Sequence, residues 1–387
     1  MRSIIATAGL AALVSLASAA PAQAPVNQPP IISDNIQSAT LSAPTPKSTN
    51  NGEIFPLSDG FPNPSPQQIE VIEIQAHGSL PNGAPPPTIS NEGIINLQLI
   101  AFNELFEAAF FADLIFNITN HVPGFDIPDP GYRTLVIETL TAALAQEELH
   151  LLNANGALKH FNKDPIQPCH YTFPTTNFED AIALAATFTD VVLGTLQNVI
   201  EIFAANGDAA LTTGVASVVG QEGEQDGFYR ILQNKNLIPN ALPFLTTSTR
   251  DFAFSALQGF VIPGTCPNEN EIPLSIFGVL KLVTPTVKPM DQTLTFSFDL
   301  GSTTDFSHYD WSQLTLQYIN QQNVPVAEPL TNVRVSGTVI TFDALFPFNE
   351  FLMNGLTIAA VTVGTGFTSA VDVSKATLFA PALIEVN

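Results

Sequence analysis

In Gln146-Glu147-Glu148-Leu149-His150 a carboxylate and an imidazole stand three residues apart inside a long apolar run. At helical pitch Glu147 and His150 share one face of one helix, a pairing that can hold a metal ion or simply bond to itself or to water. Other groups invite the same question. Glu104 and Glu107 interrupt an apolar stretch, as does Asp190, and Glu222 stands in a polar, glycine-containing run. Gln225 follows Glu222 at i+3, and Tyr229 lies a turn beyond. Unpaired carboxylates are costly to bury, and a cation among them would remove that cost.

Helices must position these groups. The first runs from Ser90, a plausible N-cap, to about residue 120, before Pro123-Gly124. It is apolar nearly all round, the pattern of a helix buried on most sides. The second begins with Asp129 as cap and Pro130 at the first position and reaches about Lys159. Thr176-Asn177-Phe178-Glu179 reads as a capping box opening a third helix, which ends at Asn206-Gly207. Asp208 then caps a fourth helix running to about Asn234, and residues 246 to 258 supply a shorter fifth. The tight turn at 206–208 makes helices three and four an antiparallel hairpin. Counting outward from it sets Glu222 opposite the neighbourhood of Asp190, with Glu201 about three turns away. The same count from the connection near Phe125 sets Glu104 within about a turn of Glu147, and Glu107 fits less well.

After about Leu282 the period changes. Leu294, Phe296, Phe298 and Leu300 alternate with polar residues, as do Leu314, Leu316 and Tyr318, and Val333 to Phe342 and Leu356 to Val363 are strand-like. The expected fold class is α+β multidomain: a four-helix bundle with a fifth short helix, then a β-sandwich. The expected boundaries are a signal peptide at 1–19, a proline-rich and mostly disordered arm at 20–89, the bundle at 90–265 and the sandwich at 285–387.

Composition narrows the function. Acidic residues outnumber basic ones 35 to 12, a net charge of -23 that excludes nucleic acid as a first partner. An apolar segment from Ile4 to Leu16, then Ala17-Ser18-Ala19, reads as a secretory leader, and no later stretch reads as a membrane span. The expected location is secreted, extracellular or in a cell wall. Secretion favours pairing of Cys169 with Cys266, two free thiols being the alternative. Asn117-Ile118-Thr119 is a glycosylation sequon. No Gly-x-Ser-x-Gly elbow or glycine-rich phosphate loop is found, and nothing assigns an oligomeric state.

Asn103-Glu104-Leu105-Phe106-Glu107, the Gln146 to His150 stretch and Gly220-Gln221-Glu222-Gly223-Glu224-Gln225 together resemble the secreted ferritin-like domain family. That family includes plant desiccation-related proteins and fungal proteins of late sexual development and stress response. The Gly-Glu-Gln followed by Phe228-Tyr229-Arg230 is most similar to the fungal branch. The resemblance covers roughly residues 90 to 265, and the two cysteines fit the family's loops. It implies a ferritin-like four-helix core able to hold a di-metal centre, with Glu104, Glu147, His150 and Glu222 matching the family's ligands; if metal binds at all, iron or manganese suits that oxygen-rich set. A full site would carry Glu at Thr189 or Asp190 and His at Gln225, so those two positions depart from the pattern. Gln225 then reads as a core hydrogen-bonding amide and Tyr229 as packing. Three functions stay open: a stress- or development-associated protein with a degenerate metal site, a non-catalytic extracellular protein whose β domain binds a cell-wall polymer or a protein, and a metal-dependent oxidoreductase.

Overall fold

The structure, a computed structural model, describes residues 52–235, 242–301 and 313–386. The leader at 1–19 and the arm as far as residue 51 lie outside them. Six helices build the first part: α1 (Pro66–Gln75), α2 (Asn91–Thr119), α3 (Pro130–His160), α4 (Phe178–Ala205), α5 (Thr212–Leu232) and α6 (Arg250–Leu257). Capping chemistry starts most of them. Ser90 Oγ accepts from Gly93 N at 2.9 Å, and Asp129 accepts from Tyr132 N at 2.7 Å with Pro130 next.

Two expected caps move. Asn177, not Thr176, caps α4, accepting from Asp180 N at 2.8 Å. Asp208 does not cap its own helix: its carboxylate takes the Ser90 N–H at 3.0 Å and the Ser90 hydroxyl, pinning the α4–α5 turn to the start of α2. A single 3-10 turn (Ala209–Leu211) therefore precedes α5.

The disordered arm is corrected over its described part. Ile54, Phe55, Leu57 and Phe61 are buried in the helical core, and α1 lays Ile72 and Ala76 against Ala145 and Leu149 of α3. The proline content of residues 20–89 hid four large apolar residues within one short stretch, enough to repay ordering it.

The strands are β1 (Leu280–Leu282), β2 (Gln292–Asp299), β3 (Leu314–Asn320), β4 (Val326–Pro329), β5 (Thr331–Ser336), β6 (Val339–Phe346), β7 (Gly355–Val363) and β8 (Thr377–Val386), with short helices α7 (Phe348–Phe351) and α8 (Ala370–Ala376). They form two antiparallel four-stranded sheets, β1-β2-β6-β5 and β4-β3-β7-β8. Phe296 and Phe342 of the first share a core with Tyr318, Val361 and Ile384 of the second. The α+β class, with helices followed by sandwiched sheets, is what the periodicity predicts.

The boundary between the two parts is not a gap. Val191 of α4 and Phe252 of α6 pack on Leu356, Ile358 and Ala360, the opposite face of β7 from Ala359 and Val361. Both faces of that strand are thus covered, which explains why Gly355 to Thr362 are all buried, Thr357 and Thr362 included. Gly194 lets the segment before α6 lie close against α4, since a Cβ there would meet the Thr246 carbonyl oxygen. All described residues fall within one compact unit. Among them only α4 is long and apolar enough to cross a membrane, and it is mostly buried inside the molecule.

Candidate metal centre

Three helices converge on one point at mid-length. α2 brings Glu104, α3 brings Glu147 and His150, and α5 brings Glu222; one ligand atom of each lies within 4.8 Å of all the others. The three carboxylates are buried and the imidazole is half-buried. His150 Nδ1 stands 2.8 Å from Glu147 Oε2 and 3.6 Å from Glu104 Oε2. The i, i+3 spacing on α3 therefore does what helical geometry requires.

Gln225 explains the second departure from the expected ligand set. Its amide donates to Glu147 Oε1 at 2.7 Å and to Gln146 Oε1 at 3.1 Å, and its own oxygen accepts from the Tyr229 hydroxyl at 3.2 Å. It is a hydrogen-bonding residue that steadies the Glu147 carboxylate. Tyr229 packs as well, its ring stacked on Phe111 with centroids 6.0 Å apart.

Asp190 is not part of the cluster. It lies among Glu385 of β8, Asp226 and Arg230, where burial first and the Glu385 and Asp226 charges next push its carboxyl well up. Hairpin register fixes depth along α4 but not rotation about it. The α4 residues that border a small void with Asn103 and Glu104 are Val192, Thr195, Leu196 and Val199, and Asp190 is set about 200° round the helix from Val192. Thus α4 offers no carboxylate to the centre.

Glu107 occupies the same buried region without joining the four. It accepts from Asn103 Nδ2 at 3.1 Å, and after burial it is the charges of Glu147, Glu222 and Glu104 that hold its proton affinity well above the carboxylate range. Glu222 is shifted the same way, by burial and then by Glu147 and Glu104. Burial lifts Glu104 to about 7, against the lowering effect of His150. For His150 burial acts downward, but Glu147 and Glu104 outweigh it and hold the imidazole well above its usual value.

The donor set fits a cation. Neither oxygen of Glu222 has a hydrogen-bond partner, nor has Glu104 Oε2, although all are buried. Groups of that kind carry a large desolvation cost unless a proton or a metal compensates it. Oxygen donors with one imidazole suit iron or manganese.

Some participants carried no recognisable signal in the sequence. Gln146 and Gln221 complete an amide bridge between α3 and α5 at 2.7 Å. Glu148 is fully buried with both oxygens unpartnered, and Asp59 from the N-terminal stretch adds to the rise in its proton affinity. Only an apolar neighbourhood on the far side of α3, contributed by residues before the bundle, could have marked it. Elsewhere Cys169 and Cys266 form a disulfide across a separation of 97 residues. Asn117 sits half-buried in the last turn of α2 and donates to Asp113 at 2.9 Å.

Against known proteins, no curated sequence matches the chain. A family model described as the ferritin-like domain matches residues 94–235, the span that contains α3, α4, α5 and nearly all of α2. This part of the chain is a ferritin-like domain.

Proposed function

We propose that the protein is a secreted, metal-binding ferritin-like protein of the stress- or development-associated kind, holding a single iron or manganese ion through Glu104, Glu147, His150 and Glu222. The observation that carries this reading is the pair of buried, unpartnered Glu222 oxygens facing the Glu147 and His150 pair. One ion rather than two follows from the lack of a carboxylate on the α4 face next to Glu104. A bound ion would supply Lewis acidity and a one-electron redox couple. The chain's own part is to fix the donors: His150 and Gln225 orient Glu147 from either side, while Glu222 and Glu104 come from facing helices. The disulfide supports an oxidising compartment. The test is metal analysis of protein purified from a secreting host. We expect about one transition-metal ion per chain, lost in Glu222→Ala and in His150→Ala. Protein without transition metal, in wild type and variants alike, would remove the assignment.

A second reading has the bundle as scaffold and the sheets as a binding surface for a cell-wall polymer or a protein. It is favoured by exposed Val335, Val339 and Leu345 on the β1-β2-β6-β5 sheet. Because β7 packs on the bundle, the pull-down needs the whole chain, with Val335→Lys and Leu345→Lys as the controls that must abolish capture.

A further inference from the structure

Glu104 and His150 face two neighbourhoods. Besides lining the metal centre, they border a cavity of about 240 Å³ whose other walls are apolar apart from Asn153, with Leu97, Leu196, Phe203, Val215 and Val218 among them. Residues of the segment 81–86 form one side of it. That segment is tied down at both ends: Leu80 N donates to Glu73 at 2.9 Å, and His160 Nε2 is 3.2 Å from the Pro86 carbonyl oxygen. The cavity is thus built into the fold, and the amide-lined hollow beside Gln146, Gln225 and Tyr229 is a different one.

We propose that this cavity binds a neutral, unbranched aliphatic molecule with one oxygen at its end, a medium-chain alcohol or aldehyde. Three observations select that class. The volume holds roughly eight groups of water or methylene size at ~30 Å³ each. The lining is lopsided: Glu104 and His150 lie 3.6 Å apart, so two of the three polar side chains are gathered in one place and most of the wall is greasy. The lining carries one carboxylate, Glu104, and no lysine or arginine to pair an anionic head group. Glu104 and His150 together give that end of the cavity the polar groups a single ligand oxygen needs. The proposal goes beyond the metal-centre reading and stands without the ion, since the lining it uses belongs to the chain itself.

Calorimetric titration of the chelator-treated whole chain with 1-alkanols from butanol to dodecanol tests it. Affinity should rise with length to a maximum near about eight carbons and then fall, and octanoate should bind at least tenfold more weakly than 1-octanol. Gly214 lines the cavity on α5, and a Cβ there meets nothing within 4 Å. Gly214→Leu therefore fills the space while favouring the helix, and should weaken 1-octanol at least tenfold without lowering the melting temperature. Val218→Phe should do the same from the next turn. Affinity that climbs steadily through dodecanol, octanoate equal to octanol, or both filling variants binding like wild type would each overturn the proposal. Metal content, measured separately, decides the metal reading: an ion-free protein that still shows the length maximum sinks only that one.

Discussion

Glu222 concentrates the energetic problem of the bundle in one side chain. Buried with neither oxygen partnered, it is tolerable as a protonated acid or as a ligand, and poorly tolerated as a bare anion. Glu222→Gln should therefore act with opposite sign on two measurements. In chelated protein at mildly alkaline pH the melting temperature should rise, by an amount corresponding to ~1–3 kcal/mol; transition-metal affinity should fall at least tenfold. A variant that lost stability and kept its metal would place the ion elsewhere. Gln225 calls for a different substitution. Gln225→Leu removes the donor to Glu147 Oε1 and strands that oxygen, so a cost of ~1–3 kcal/mol is expected in chelated protein, readable as a shift in the denaturant midpoint. Equal midpoints for Gln225→Leu and wild type would mean the amide does not steady Glu147.

Among the elements, α4 and α5 show what register can and cannot convey. The caps at Ser90 and Asp129 and the shared depth of Glu104, Glu147 and Glu222 were legible because short-range spacing dictates them. The rotation of α4 was not, because packing against β7 and α6 decides which face turns inward, and those partners are distant in sequence. Asp190 is consequently part of a charged seam between bundle and sheet with Asp226, Arg230 and Glu385. Burial raises Asp226 to about 6, against the opposing pull of Arg230 and Lys235. The folded state then holds this proton more tightly than the unfolded chain, whose value is near 3.8. The stability it contributes is full below that value and is lost as pH rises through about 6. Asp226→Asn should flatten the fall in stability between those pH values, where the native carboxyl contributes a slope of up to ~1.4 kcal/mol per pH interval of one. Denaturant midpoints at several pH values would show it, and an unchanged slope would mean the carboxyl ionises freely.

The whole molecule is held together by a strand with two apolar faces. The strand-like stretch at Leu356 to Val363 was visible in the sequence, but its meaning needed the partner: Ile358 and Ala360 face Val191 and Phe252, while Ala359 and Val361 face the other sheet. A sandwich free of the bundle would expose the first set, together with Leu356, as an apolar patch prone to self-association. The disulfide works on the same scale, since it ties the loop after α3 to the loop after α6. Closing a loop of that length is worth ~4 kcal/mol through the unfolded state. Two parts that share a core should melt as one. Ile358→Ala removes buried contacts on the bundle side of β7, so a loss of ~2–5 kcal/mol is expected, and it should lower the helical and the sheet transitions together. Circular dichroism for the helices and hydrogen exchange of the β2 and β6 amides would follow the two parts separately. If the sheet amides opened early while the helices held their wild-type midpoint, the seam would be a contact between independent domains, and a ferritin-like bundle would stand without its sheets.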